Sequence, residues 1–87
     1  MNRIYFDISA TTPLDPRVGD FMHELQKVTY GNPSSIHREG QSARAVVEIS
    51  RRQLARALHC EPEEIIFTSS GSESNNMVLK GLLKPGD

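Results

Sequence analysis

Apolar residues recur along the 87-residue chain with several different periods, and each period predicts a different element. Ile4, Phe6 and Ile8 alternate around Tyr5 and Asp7, which predicts a short strand over 4–8. Ser9-Ala10-Thr11-Thr12-Pro13-Leu14 is an irregular connection of small and hydroxyl residues. Asp15-Pro16 then predicts a sharp helix start, because Asp15 can accept from free backbone N–H groups and proline suits the first helical position. Val18, Phe21, Met22, Leu25 and Val28 follow at helical spacing and predict one buried stripe. Tyr30-Gly31-Asn32-Pro33 should end that helix, with Gly31 free to turn left-handed and Pro33 blocking continuation.

Ser34 to Gly40 reads as a loop or helix approach. From Gln41 onward the pattern is the clearest in the chain. Ala43, Val46, Val47, Ser50, Leu54, Ala57 and Leu58 share one helical face, while Arg44, Glu48, Arg51, Arg52 and Arg56 crowd the other. Glu48 can pair with Arg51 and Arg52, at a few tenths of a kcal/mol each. The arginines are expected to form a solvated face rather than an anion site. Past His59 and Cys60, Glu61 to Glu64 predicts a turn or a single helical turn. Ile65-Ile66-Phe67-Thr68 is a short β-branched apolar run and predicts a buried strand. A polar stretch, 69–76, passes into a short helix over Met77 to Leu83, and Lys84-Pro85-Gly86-Asp87 is turn chemistry. Helix, strand, polar turn and helix in that order form the beginning of an α/β sheet.

Composition narrows the class. Leu, Ile, Val and Phe supply 21 of the 87 residues, enough for folding but thinly so. Ten basic residues against eleven acidic ones leave a formal charge of −1, which argues against general affinity for nucleic acid or an anionic membrane. No apolar run approaches the ~20 residues needed to span a bilayer. The opening Met1 to Asp7 carries a charge inside its only apolar run, unlike a signal peptide. One cysteine, Cys60, permits no internal disulfide and fits a reducing compartment, so the cytoplasm is the expected location.

Three segments could carry chemistry. In Phe67 to Asn76, an apolar run delivers a hydroxyl-rich turn to a helix start, an arrangement suited to holding phosphate. Gly71 would let the backbone approach, and Ser70, Ser72 and Ser74 offer hydroxyl groups. Ser70 and Glu73 equally fit a plain capping box, and the local pattern leaves both readings open. It is not a Walker loop, since the second glycine followed by lysine and a hydroxyl residue is missing. Tyr30 to His37 could present Asn32 and His37 from a loop, although Asn-Pro-Ser-Ser is also an ordinary turn. Asp7 to Pro13 is small enough to lie against a ligand or another chain, or is a plain connector. His23, His37, His59 and Cys60 lack zinc-type spacing, so no metal site is expected. Cys60, near a helix C-terminus and ahead of three glutamates, is a poor nucleophile candidate.

Taken together, Tyr5-Phe6-Asp7-Ile8-Ser9-Ala10-Thr11-Thr12-Pro13-Leu14-Asp15-Pro16-Arg17-Val18, Gly31-Asn32-Pro33-Ser34-Ser35-Ile36-His37 and Ile65 to Asn76 closely resemble the N-terminal part of cysteine desulfurases. These are class V members of the fold-type I pyridoxal-phosphate enzymes, and the resemblance runs along essentially the whole chain. It implies an α/β fold, the N-terminal portion of a fold-type I transferase. Here that portion would be mostly helical, with one N-terminal strand and one short strand of the large-domain sheet. Residues 1–14 would belong to the small domain and 15–87 to the start of the large, cofactor-binding domain.

The implied reaction converts L-cysteine to L-alanine and an enzyme-bound persulfide, which feeds iron–sulfur cluster assembly or tRNA thiolation. The implied cofactor is pyridoxal 5'-phosphate, with Gly71 and Ser72 at the positions that hold its phosphate. Ala10, Thr11, Thr12, Asn32 and His37 match segments near the active site. The implied partners are a second copy of the complete enzyme and a sulfur acceptor or scaffold protein, with no nucleic acid and no membrane. The family's Schiff-base lysine, pyridine-facing aspartate, ring-stacking histidine and persulfide cysteine lie downstream of these residues. The isolated chain is therefore expected to be inactive. A related selenocysteine lyase, or a non-catalytic module that pairs through its apolar helix faces, is the alternative. Ser69-Ser70-Gly71-Ser72-Glu73 departs from the family's usual Ser-Gly-Ala/Gly-Thr-Glu, which puts the shape of the turn in question. Ile8 stands where an aromatic residue or asparagine is common.

Overall fold

The computed structural model describes residues 2–87 and places in them three α-helices and one 3₁₀ turn. Helix α1 spans Pro16–Val28, α2 spans Arg38–Leu58 and α3 spans Gly71–Leu82, with the 3₁₀ turn at Pro62–Glu64 between α2 and α3. The chain divides into two units, Met1–Val47 and Glu48–Asp87.

In the first unit, α1 begins where its sequence predicts. Asp15 caps it, one carboxylate oxygen accepting from the Arg17 backbone N–H at 2.8 Å, and Pro16 occupies the first helical position. The Arg17 guanidinium closes onto the same carboxylate at 2.7 Å. That side-chain bond, followed by the backbone one, holds the Asp15 carboxyl below its ordinary 3.8. The expected stripe forms but is not buried. Phe21 is 65% exposed and Val18, Met22 and Val28 are exposed as well; only Leu25 is half-covered. A 13-residue helix buries its apolar face only where another element covers it, whatever its periodicity.

The same unit draws in tightly at the 31–40 loop. Helix α2 begins at Arg38, three residues before the expected Gln41, and Gly40 and Ala43 in its first turns are buried. Gly31 does not use the left-handed conformation that glycine leaves open to it. Its lack of a side chain serves close approach instead, because a Cβ there would overlap the Glu39 carbonyl. Gly40 is equally constrained: a Cβ would overlap the Ser35 carbonyl and stand 2.7 Å from the Asn32 carbonyl.

In the second unit, the rest of α2 ends in a Schellman arrangement. The Cys60 N–H donates to the Ala55 carbonyl at 2.9 Å and the His59 N–H to the Arg56 carbonyl at 3.3 Å. His59 takes the left-handed position at φ 58°. Ala55, absent from the expected apolar face, is buried at 1% exposed, while Leu54 and Leu58 on that face are exposed. Within this unit the covered side of α2 thus runs through Ala55 and the half-buried Arg51. The 3₁₀ turn matches the expected single turn and is closed by the Glu61 N–H on the Glu64 carboxylate at 2.8 Å.

Neither expected strand forms among the described residues. Over 4–8, Ile8 already lies in a turn in which the Ala10 N–H reaches the Asp7 carbonyl at 3.1 Å. Over 65–68 the backbone is extended at Ile65, but its N–H turns back to the Pro62 carbonyl and no strand lies beside it, and Ile66 and Phe67 are exposed rather than buried. A strand needs a neighbour to satisfy its N–H and C=O groups, and these segments have none here. The mostly helical character stands; the sheet that would complete an α/β layer is not formed by these residues.

Two of the arginines depart from the expected solvated face. Arg44 Nε donates to the Pro33 carbonyl at 2.8 Å, tying the 31–40 loop to α2. Arg51, with its side chain only 23% exposed, pairs with Glu48 at 3.3 Å and donates to the Ile65 carbonyl.

Candidate functional site

The hydroxyl-rich turn of residues 68–72 leads directly into α3, which starts at Gly71 rather than near Met77. Ser70 is the cap: its side chain accepts from the Glu73 N–H at 3.1 Å. The reciprocal half of the expected capping box lands one residue early. The Glu73 carboxylate accepts from the Ser69 N–H at 2.9 Å and from the Ser69 hydroxyl. Those two bonds, the hydroxyl first, hold the Glu73 carboxyl below its ordinary 4.5. On the other side of the turn Thr68 Oγ1 lies 2.6 Å from Ser74 Oγ and donates to the Ser70 carbonyl at 3.1 Å. Five of the seven residues from Thr68 to Ser74 thus hold one another in a closed set of short-range bonds.

The two left outside that set are Gly71 and Ser72. Their backbone N–H groups, the first two of α3, find no acceptor among the described residues, and neither does the Ser72 hydroxyl. A Cβ on Gly71 would meet nothing within 4 Å. Packing within this unit therefore does not require glycine at 71, in contrast to Gly31 and Gly40. Two unsatisfied amides and a hydroxyl at the positive end of a 12-residue helix suit an anionic oxygen group. The open space over Gly71 would admit one, so these residues fit a phosphate. Capping and anion binding, which the sequence left as alternatives, are compatible, because Ser70 and Glu73 do the capping while Gly71 and Ser72 stay available. The family departure at Ser70 is also accounted for. Its φ of −166° is extended backbone that any residue adopts, so a glycine is not needed there.

The remaining sequence-predicted residues lie in the first unit, in two separate places. Asn32 and His37 share the 31–40 loop. Asn32 Oδ1 accepts from the Ser34 N–H at 2.9 Å, the ordinary turn bond. His37 Nδ1 accepts from the Gly40 N–H at 3.2 Å, which puts the neutral ring's proton on Nε2 and gives α2 a capping contact. When the ring is charged, Nδ1 can instead donate to Glu39, also 3.2 Å away. Ala10, Thr11 and Thr12 are exposed, in and just after the turn at Asp7. The Tyr5 hydroxyl closes that turn against the Asp7 and Thr11 carbonyls at 2.9 and 3.1 Å.

Sequence reasoning missed Arg51, whose guanidinium carbon also lies 4.9 Å from the centroid of the Phe67 ring. Its signal was an arginine on the flank of an apolar helix face followed by an aromatic residue in an apolar run. Among the described residues no group of three or more His, Cys, Asp or Glu could hold a metal ion. No helix there is long and apolar enough to cross a membrane.

Comparison with known proteins covers the same ground. The family model described as "Aminotransferase class-V" matches residues 4–87. The chain is similar to "Cysteine desulfurase, mitosomal" of Encephalitozoon cuniculi, 51% identical over 81 residues, or 92% of this chain and 19% of that protein. It is similar to "Cysteine desulfurase, mitochondrial" of Saccharomyces cerevisiae, 50% identical over 80 residues, 91% of this chain and 16% of the relative. "Selenocysteine lyase" of Bos taurus is 40% identical over 82 residues, 94% of this chain and 19% of the relative. The chain spans about a fifth of the length of the curated relatives it matches. No solved structure matches it. With a family match that takes in all three motif segments and the turn that opens α3, this chain belongs to the class V aminotransferase family.

Proposed function

We propose that these residues are the N-terminal part of a pyridoxal-phosphate-dependent cysteine desulfurase and supply part of the cradle for the cofactor's phosphate. The observation that carries this is Gly71, which opens α3 with an unsatisfied N–H and free space where a side chain would stand. The higher identity to proteins named cysteine desulfurase than to the one named selenocysteine lyase supports cysteine as substrate. Residues 1–14 are read as a small-domain segment and 15–87 as the start of the cofactor domain.

When bound, pyridoxal phosphate supplies an electron sink for cleavage at the amino-acid substrate. The work assigned to this chain is binding and orientation. The Gly71 and Ser72 amides and the Ser72 hydroxyl donate to phosphate oxygens, aided by the dipole of α3. Glu73 carries negative charge one residue further on, but Ser69 holds its carboxylate back against the turn. Asn32 and His37 are read as active-site neighbours, with the Asn32 Nδ2 amide group and the His37 Nε2–H left over as donors from their turn bonds. Ala10, Thr11 and Thr12 are read the same way. A homodimer and a sulfur-accepting protein are the partners this reading carries, and a reducing compartment such as the cytoplasm fits the single Cys60.

The test is Gly71→Val in the complete protein. A branched side chain in the open space should weaken pyridoxal phosphate binding about 10-fold or more, a lost charge-assisted donor being worth roughly 1.5–3 kcal/mol, while helix content is unchanged. Unaltered affinity refutes the phosphate assignment. Alanine release from L-cysteine checks the reaction; release from selenocysteine alone moves the assignment to a lyase.

A further inference from the structure

The phosphate-type turn needs something to fix where it starts, and no strand ladder does so among the described residues. Arg51 is the side chain that reaches the preceding segment at two points. One guanidinium nitrogen donates to the Ile65 carbonyl, and the guanidinium carbon stands over the Phe67 ring, 4.9 Å from its centroid. Glu48, one turn earlier on α2, accepts from Nε at 3.3 Å and steadies the head group from behind. The segment thus pinned, 65–67, ends one residue before Thr68, where the closed set of turn bonds begins.

We propose that Arg51 is a positioning residue for phosphate binding: through Ile65 and Phe67 it sets the origin of the turn that presents the Gly71 and Ser72 amides. This deepens the reading of that turn as a phosphate cradle and rests on it. The role requires arginine chemistry. A planar head group can lie against a ring and donate in its own plane at the same time, whereas a lysine ammonium is a compact charge with no flat face to lay on the ring and no fixed fork of donors. Arg52, its exposed neighbour on the same helix, makes no such contact.

The experiment uses the complete protein and compares binding of pyridoxal phosphate with binding of pyridoxal, which lacks the phosphate. Thermal unfolding of each unloaded variant is recorded alongside. Arg51→Ala should weaken pyridoxal phosphate about 10-fold and leave pyridoxal within about 2-fold. Arg51→Lys should fall between Arg51→Ala and the parent, and Arg52→Ala should match the parent. If Arg51→Ala does not fold, Arg51→Lys decides by the same comparison. Equal weakening of both ligands, or no change in either, overturns the positioning role. Ser72→Ala keeps that failure apart from a failure of the cradle itself. If Ser72→Ala and Gly71→Val leave the preference for the phosphorylated ligand intact, the cradle is wrong and the inference falls with it. If they abolish the preference while Arg51→Ala does not, only the inference falls.

Discussion

Replacing Gly40 by alanine tests the closest backbone approach in the first unit. Gly40 is the third residue of α2, where alanine would ordinarily gain about 1 kcal/mol over glycine through backbone entropy. Here the added Cβ would overlap the Ser35 carbonyl and lie 2.7 Å from the Asn32 carbonyl, and backbone atoms cannot rotate away as a side chain can. Forcing a methyl into such a space costs roughly 1–3 kcal/mol or more. With the cost at the upper end of that range, about 3 kcal/mol, and the propensity gain of about 1 kcal/mol offset, a net loss of about 2 kcal/mol is expected. Gly19→Ala is the control. It is the same substitution inside α1, where the new Cβ meets only the Leu14 side chain at an ordinary 3.4 Å, so it should gain about 0.5–1 kcal/mol. Urea unfolding followed by circular dichroism reads both. With a slope of about 1–3 kcal/mol/M, Gly40→Ala should lower the midpoint by roughly 1 M and Gly19→Ala should raise it. An unchanged or raised midpoint for Gly40→Ala would refute the close approach of the loop to α2.

Two further outcomes concern the second unit. The Glu73 carboxyl is lower in the folded state than its ordinary 4.5. Its contribution to the α3 start is therefore present above pH 4.5 and lost as pH falls through the lowered value. Glu73→Gln should remove that part of the acid dependence of amide protection at Ser69, and an unchanged acid limb would contradict the Ser69–Glu73 bonds. His59→Gly should stabilise α2 by about 1 kcal/mol, because a left-handed position at φ 58° costs a side-chain-bearing residue that much. Thermal unfolding checks it, and a loss of stability would mean that the imidazole makes a compensating contact.

Much of the local structure was legible in the sequence. Asp15-Pro16 as a helix start, the single turn at 61–64, the long amphipathic α2 and Ser70 as a cap all follow from side chains acting on backbone groups within four residues. So did the family, through three motifs in order. What neighbours decide was not legible. The stripe on α1 has the right period yet stays exposed, and Ile65 to Phe67 is extended without becoming a strand, because burial and ladder pairing depend on other elements. At the candidate site, the residue types at 70–73 were readable. That Glu73 reaches Ser69 rather than Ser70, and that open space stands over Gly71, is set by the backbone path of the turn and not by residue type. Arg51 makes the same point most clearly. Composition and periodicity rank it with the other arginines of its row, and only the approach of Ile65 and Phe67, 14 and 16 residues further along, turns a surface charge into an anchor. Short-range hydrogen-bond chemistry is encoded in adjacent residues, whereas desolvation and close approach exist only once distant segments meet.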